Sequence, residues 1–140
     1  MNTTICPNQT TARRWMVVDD NEDILMMMRE MLEDLRGATV ECYASPVKAL
    51  AAITADPEQF ELVITDFEMP AMNGLELSRQ MLAFAPALKI FLATGGGFFR
   101  EEFAKRAGFS GLLNKPFPLN VLRNTLSKAG VKANLVSLTA

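Results

Sequence analysis

Five polar side chains of this sequence can do chemistry together, and each follows a short apolar run. They are Asp19, Asp20, Asp66, Thr94 and Lys115. Clustered carboxylates repel one another, so their pKa values rise unless a cation compensates the charge. Mg²⁺ prefers oxygen ligands, and a carboxylate can act as a nucleophile that forms an acyl phosphate. The set therefore provides oxygen ligands for Mg²⁺, a nucleophile, a cation and a hydroxyl donor, and it contains no separate general acid.

The composition excludes several other chemistries. The sequence contains no histidine, which removes Ser-His-Asp and Cys-His catalysis, most zinc sites and a phosphohistidine donor. The two cysteines, Cys6 and Cys42, lie in a polar and an apolar context, so a reduced cytoplasmic protein is expected rather than a disulfide framework. The net charge of −2 and the lack of a basic cluster disfavour direct binding to nucleic acid. No apolar run approaches the ~20 residues that a membrane-spanning helix needs, and no export signal is recognised.

The elements that must position the five side chains are short strands alternating with helices. The apolar runs are Trp15–Val18, Thr39–Tyr43, Leu62–Thr65, Ile90–Ala93 and Gly111–Leu113. Four of these runs hardly alternate, as strands buried on both faces should. The second run alternates polar Thr39 and Glu41 with apolar Val40 and Cys42, which indicates an edge strand.

Helical patterns separate the runs. The first spans Ile24 to Leu35 and stops at Gly37, and the second opens at Ser45-Pro46 and continues toward Ala55. The others are expected to begin at Asn73-Gly74, at Phe98 and at Pro118, and to stop at Pro86, Gly108 and Gly130. Strand and helix thus alternate five times, which predicts a single-domain (βα)5 doubly wound parallel sheet. Residues 1–13 read as a flexible leader, 14–130 as the domain and 131–140 as a C-terminal tail.

In open α/β sheets, ligands bind at the carboxyl ends of the strands, beside the switch in strand order. The five polar residues should therefore converge at this edge. Each of these residues alone could be a turn residue, a helix cap or a solvated charge. This interpretation does not account well for all five occurring together at the ends of the apolar runs.

Four separated motifs of the sequence resemble those of a known protein family. Val17-Val18-Asp19-Asp20, the run from Thr65 to Gly74, Ala93-Thr94-Gly95 and Lys115-Pro116-Phe117 resemble the motifs of response-regulator receiver domains, with a chemotaxis-regulator-like, flavodoxin-like fold. The similarity extends from about Arg14 to Gly130, and it implies strand order 2-1-3-4-5 and a cis peptide bond before Pro116.

The resemblance also implies roles for the polar residues. Asp66 would accept a phosphoryl group from a histidine kinase or histidine phosphotransfer protein. Mg²⁺ would be bound by Asp20, Asp66 and the backbone carbonyl of Glu68, with Asp19 acting through water. Thr94 and Lys115 would contact the phosphoryl group. The protein would then signal through the face formed by the fourth helix, fifth strand and fifth helix, to a downstream protein or a covalently linked domain.

The sequence departs from the family pattern at the aromatic position three residues before the lysine, which is Leu112 here. Gly95-Gly96-Gly97 follows Thr94, so this loop is a candidate for ordering on phosphorylation. Glu68 flanks the phosphorylation site and could affect attack by water. Phe98, Phe99 and Phe103 are expected mostly in the core, with one as a candidate docking contact. Met26-Met27-Met28 is expected to pack a helix face or to be partly exposed.

Two other functions remain open. The chain could be an adaptor of the same fold that binds a partner without phosphorylation, an alternative for which Leu112 leaves room. It could also be an aspartate-nucleophile phosphatase, although such enzymes have a second aspartate two residues after the nucleophile, where this sequence has Glu68. A receiver domain would not be a conventional enzyme, because it catalyses only its own phosphorylation and dephosphorylation.

Overall fold

The computed structural model describes residues 14–36, 40–97 and 99–131. Five parallel strands form one sheet in the order β2-β1-β3-β4-β5. The strands are β1 (Arg14–Val18), β2 (Val40–Tyr43), β3 (Phe60–Asp66), β4 (Lys89–Gly95) and β5 (Gly111–Lys115). The helices are α1 (Glu22–Arg36), α2 (Pro46–Ala55), α3 (Gly74–Phe84), α4 (Glu101–Arg106) and α5 (Leu119–Lys128), with a short 3-10 turn at Pro57–Gln59. The predicted flavodoxin-like (βα)5 architecture and strand order are confirmed.

The two faces of the sheet are covered by different helices, because side chains along a strand alternate between the faces. Trp15 and Val17 of β1 pack in one core cluster with α1 and α5. Met16 and Val18 pack in the other cluster with α2, α3 and α4. The central strands are therefore buried on both sides, as their uninterrupted apolar runs predict.

β2 lies at one edge of the sheet and pairs with β1. Val40 is its only buried residue, and the other three are partly exposed, so the alternation identified the edge correctly. Met28 of α1 is buried, whereas Met26 and Met27 are 64% and 44% exposed, which agrees with the expected packing of one helix face.

Side-chain caps fix the starts of two helices. The Ser45 hydroxyl accepts from the Lys48 N–H at 3.2 Å, with Pro46 at the first helical position of α2. The Asn73 carboxamide oxygen accepts from the Glu76 N–H at 2.8 Å at the start of α3. Both starts were predicted from the same residues.

The expected start of α4 at Phe98 is wrong. The helix begins at Glu101, and Arg100 before it has extended dihedral angles, φ −103° and ψ 158°. The ring of Phe99 packs against Phe67, with centroids 4.7 Å apart. This segment therefore leads the chain past the end of β3 before the helix starts.

Val131 shows that the packed chain extends one residue beyond the predicted boundary at Gly130, since Val131 is 2% exposed and belongs to the core. The expected leader at 1–13, the helix stop at Gly37, Thr39, the Phe98 side chain and the tail from 132 to 140 lie outside the described residues. None of the helices in the described ranges combines the length and apolarity needed to cross a membrane.

Candidate functional site

The carboxyl ends of β1, β3, β4 and β5 bring the five predicted residues to one edge of the sheet. Asp19 and Asp20 follow β1, while Asp66 and Lys115 are the last residues of β3 and β5, and Thr94 is the penultimate residue of β4. Parallel pairing puts these strand ends side by side, with Asp66 in register with Ala93 and Thr94 in register with Asn114. The predicted convergence is thus observed in the structure.

Asp19, Asp20 and Asp66 form an acidic cluster. One carboxylate oxygen from each lies within 4.8 Å of the others. Asp19 is buried, Asp66 is partly buried and Asp20 is exposed, so the cluster opens to solvent on the Asp20 side. Three carboxylate oxygens at this spacing suit a hard cation such as Mg²⁺, which binds oxygen ligands and retains waters.

Lys115 connects two of these carboxylates. Its Nζ donates to Asp19 Oδ2 at 3.0 Å and to Asp66 Oδ1 at 3.2 Å. Burial disfavours the ammonium, but the hydrogen bond and charge of Asp19, followed by those of Asp66, raise the pKa of Lys115 above its usual value. The lysine is therefore held charged between Asp19 and Asp66.

Asp66 has a raised pKa, chiefly because burial disfavours its charged form and secondly because the Asp19 charge lies nearby. Lys115 and a backbone N–H of Phe67 act in the opposite direction. The repulsion by Asp19 and the compensation by Lys115 agree with the sequence prediction, whereas the larger effect of burial was not part of it.

The backbone around the acidic cluster is held by local hydrogen bonds. The Asp19 N–H donates to the Tyr43 carbonyl at 3.1 Å, and Asp19 Oδ1 accepts from the Asn21 N–H at 2.9 Å. The Asn21 side chain accepts in turn from the N–H groups of Asp23 and Ile24 at the start of α1. Asn21 thus links Asp19 to α1, a role that sequence reasoning missed, although asparagine before a helix is a recognisable cap signal.

Thr94 is 7% exposed, and within the described part of the chain its hydroxyl makes only a long contact of 3.4 Å with the Gly95 carbonyl. Thr94 lies with Asp66, Glu68 and Lys115 around a cleft of about 630 Å³. The cleft is large enough for a phosphoryl group, and the weakly bonded hydroxyl can turn toward one.

Two aromatic side chains missed as site residues complete the cleft. Phe67 and Phe99 line it together with Gly95 and Gly96. Phe67 directly follows Asp66, but nothing in the sequence places Phe99 against it. Phe103 stacks on Phe99 at 4.9 Å and is 37% exposed, so it lies outside the core and fits the expectation that one of these phenylalanines is a candidate docking contact. Leu112 is buried in the second core cluster, and the Lys115–Pro116 peptide bond is cis, as expected.

The fold and this site define a class of protein. The sequence matches the model of the response regulator receiver domain over residues 15–127. The chain belongs to this family, and its class is that of receiver domains in two-component signal transduction.

Particular relatives support the assignment. The chain is 37% identical over 121 residues to the C4-dicarboxylate transport transcriptional regulatory protein DctD of Rhizobium meliloti, covering 86% of this chain and 26% of that protein. It is 34% identical over 130 residues to the virulence sensor protein BvgS of Bordetella bronchiseptica, covering 87% of this chain and 10% of the relative. The chain thus spans about a quarter or less of these relatives.

Solved structures show the same fold. A response regulator receiver domain protein from Clostridium thermocellum superposes with a TM-score of 0.75 at 27% identity, over 84% of this chain and 93% of the other. The chemotaxis protein CheY4 of Vibrio cholerae superposes with a TM-score of 0.72 at 28% identity, over 84% of this chain and 98% of the other.

Proposed function

We propose that the chain is a phospho-receiver, in which Asp66 accepts a phosphoryl group from a histidine kinase or histidine phosphotransfer protein. The observation that carries the proposal is the position of Lys115, whose Nζ contacts both Asp19 and Asp66 at the carboxyl edge of the sheet. A nucleophilic carboxylate, a second buried carboxylate and a fixed cation beside an open cleft are what phosphoryl transfer to aspartate needs.

In the transfer, a carboxylate oxygen of Asp66 forms a bond to phosphorus, and the bond from phosphorus to the donor atom breaks. The electron pair of that bond leaves with the donor group. Lys115 stays near the product and neutralises charge on the phosphoryl oxygens as a point charge. The Thr94 hydroxyl exchanges its long contact with the Gly95 carbonyl for a hydrogen bond to a phosphoryl oxygen.

Asp19, Asp20, Asp66 and the Glu68 carbonyl would hold Mg²⁺, with Asp19 acting through water. The fit rests on the three carboxylate oxygens that the structure places within 4.8 Å of one another. Mg²⁺ would supply neutralisation of the charge that develops on the phosphoryl oxygens. Glu68 lies at the cleft wall.

This function makes the chain a signalling component of the cytoplasm and not a conventional enzyme, since its chemistry acts on its own aspartate. Its output goes to a downstream protein or to a covalently linked domain. Leu112, which occupies the position three residues before the lysine where the family has an aromatic residue, favours a second candidate, an adaptor of the same fold that binds its partner without phosphorylation.

Intact mass spectrometry tests the proposal. The chain is incubated with acetyl phosphate and Mg²⁺, beside Asp66→Asn and the control Asp34→Asn, which removes an exposed carboxylate on α1. We expect one added phosphoryl group in the wild type and in Asp34→Asn, and none in Asp66→Asn or after chelation of Mg²⁺. The gain cannot reside on histidine, because the chain has none.

A mass gain that persists in Asp66→Asn would place the modification elsewhere and refute the assignment. If neither acetyl phosphate nor a phosphorylated histidine phosphotransfer protein modifies the wild type, the adaptor becomes the better description. Steady multiple turnover of a phosphate ester would indicate the phosphatase instead.

A further inference from the structure

A second cleft lies on the outer side of α4, beside the phosphorylation site. It has a volume of about 380 Å³ and is lined by Phe99, Arg100, Glu102, Phe103 and Arg106. Phe99 and Phe103 are stacked, with ring centroids 4.9 Å apart and planes at 19°. This cleft, the α4 cleft, thus combines an aromatic wall with two guanidinium groups and one carboxylate.

The α4 cleft differs from the face that the family resemblance implies for output. Residues on the other side of α4, including Glu101 and Lys105, line a separate small cleft with Leu112 of β5 and with Thr125 and Lys128 of α5. Glu102, Phe103 and Arg106 of α4 line the α4 cleft together with Phe99 of the extended segment before the helix, and none of them lines the other cleft. The two clefts can therefore be tested separately.

The charge around the α4 cleft favours an acidic occupant. Arg100 and Arg106 are both exposed, and neither forms an ion pair with another residue that the structure describes. The lining of the α4 cleft contains these two arginines and one glutamate, Glu102, so it is net positive, although the whole chain is acidic with a net charge of −2. Electrostatic complementarity of this kind selects partners and speeds encounter.

Phe99 is shared by the two clefts beside β4. It lines the phosphorylation cleft with Asp66 and Thr94, and it also lines the α4 cleft. Its ring touches Phe67, the residue after Asp66, on one side and Phe103 on the other. A change of the Phe99 rotamer would therefore alter both clefts, whereas the buried Leu112 lacks an aromatic ring for such a role.

We propose that the α4 cleft binds an acidic segment of a partner protein that inserts an aromatic or aliphatic side chain between Phe103 and the arginines. Binding there is coupled to the occupancy of the phosphorylation site through Phe99. The coupling rests on the proposed function, whereas the binding of the acidic segment does not. By thermodynamic linkage, if occupancy of the phosphorylation site changes the affinity of the α4 cleft for its partner, the bound partner changes the affinity of the phosphorylation site by the same factor.

The test uses the acetylated, amidated heptapeptide EDLFEDL as the probe, with its counterpart KKLFKKL as the charge control. Amide chemical shifts of the ¹⁵N-labelled chain locate binding and give the Kd. We expect EDLFEDL to shift residues 99–106 and to be weakened about tenfold or more by Phe103→Ala and several-fold by Arg106→Gln. Phe84→Ala and Lys128→Gln are matched controls, since Phe84 is 53% exposed on α3 and Lys128 lies at the other cleft.

The coupling is measured by repeating the titration with beryllofluoride and Mg²⁺ as a mimic of the phosphoryl group. We expect the peptide Kd to change by about threefold or more in the wild type and to be unchanged in Phe99→Leu. Fluorine NMR of bound beryllofluoride establishes in each variant that the phosphorylation site is occupied.

Shifts that centre on Lys105 and Lys128, equal binding of KKLFKKL, or no binding at millimolar peptide would each overturn the proposed acidic docking site. A Kd that does not respond to bound beryllofluoride in the wild type would overturn the coupling. If beryllofluoride fails to bind while EDLFEDL binds the α4 cleft, the proposed phospho-receiver function fails and the docking site stands.

Discussion

The backbone of Gly74 passes so close to Asp66 that a Cβ atom at residue 74 would overlap the Asp66 carbonyl oxygen. The same atom would lie 3.2 Å from the Asp66 carbonyl carbon and from Phe67 Cα. The Gly74 N–H also donates to the Phe67 carbonyl at 2.7 Å. The start of α3 is thus packed directly onto the backbone of the proposed phosphoacceptor, and the close approach requires glycine.

Gly74→Ala should therefore lower the free energy of unfolding by about 1–3 kcal/mol, since backbone atoms must move to admit the methyl group. It should also slow phosphorylation of Asp66 by displacing the end of β3. Urea denaturation followed by the fluorescence of the single, buried Trp15 measures the first effect. Gly95→Ala is the control for stability, because a Cβ there would have no atom within 4 Å. Equal losses in both variants would contradict the explanation.

The Lys115 ammonium neutralises charge between Asp19 and Asp66. Its replacement by a neutral side chain should therefore strengthen Mg²⁺ binding and weaken phosphorylation. Lys115→Gln leaves the acidic cluster uncompensated, and we expect Mg²⁺ affinity to rise about three- to tenfold. The rate of phosphorylation by acetyl phosphate should fall, because the charge on the phosphoryl oxygens is no longer neutralised. Calorimetric Mg²⁺ titration, with exposed Lys128→Gln as control, checks this; unchanged or weaker Mg²⁺ binding in Lys115→Gln would refute it.

Mg²⁺ should also stabilise the fold, because the acidic cluster is assembled from β1 and β3 only in the native state. At Mg²⁺ concentrations about 100 times the Kd, linkage gives an increase of about 2.7 kcal/mol in the free energy of unfolding. Asp20→Asn should remove most of this increase, while Asp34→Asn should retain it. Urea melts with and without Mg²⁺ measure the increase in the free energy of unfolding. An equal increase in both variants would show that Mg²⁺ binds outside the acidic cluster.

The sheet and the convergence of the site residues could be predicted because parallel strands share one carboxyl edge. Apolar runs of the kind seen at Leu62–Thr65 mark buried strands, and polar residues at their ends must then meet. The Lys115 contacts could not be predicted in the same way. They depend on how far a flexible side chain reaches across the cleft, which a sequence pattern does not encode.

The aromatic residues near β4 show the second limit. The hydrophobic pattern of the sequence predicts that Phe99 and Phe103 lie mostly in the core and that the fourth helix begins at Phe98. The structure puts Phe99 against the second core cluster and in the wall of the cleft, with its ring tilted against Phe67 and stacked on Phe103. A tertiary contact between two loops outweighs the local helical pattern there, so helix α4 starts at Glu101.

Tyr43 offers a prediction at the sheet edge, where its carbonyl accepts from the Asp19 N–H while its side chain contacts Glu41. Its hydroxyl donates to Glu41 Oε1 at 2.8 Å, and Glu41 also pairs with Arg14. Burial, followed by the hydrogen bond to Glu41 and the Glu41 charge, raises the pKa of Tyr43 above its ordinary value of 10.0. Glu41→Gln should lower this pKa toward the ordinary value. The phenolate absorbance of the only tyrosine in the chain reports it directly.

The sign of the stability effect follows from the raised pKa. The protonated phenol stabilises the folded state fully below the unfolded pKa, and this contribution is lost as pH rises from there through the folded pKa. The wild type should therefore lose more stability over this alkaline window than Glu41→Gln does, and Tyr43→Phe should lack the contribution altogether. Urea melts across the window measure the difference. Parallel losses in the wild type and Tyr43→Phe would show that the Tyr43–Glu41 hydrogen bond does not set the alkaline stability.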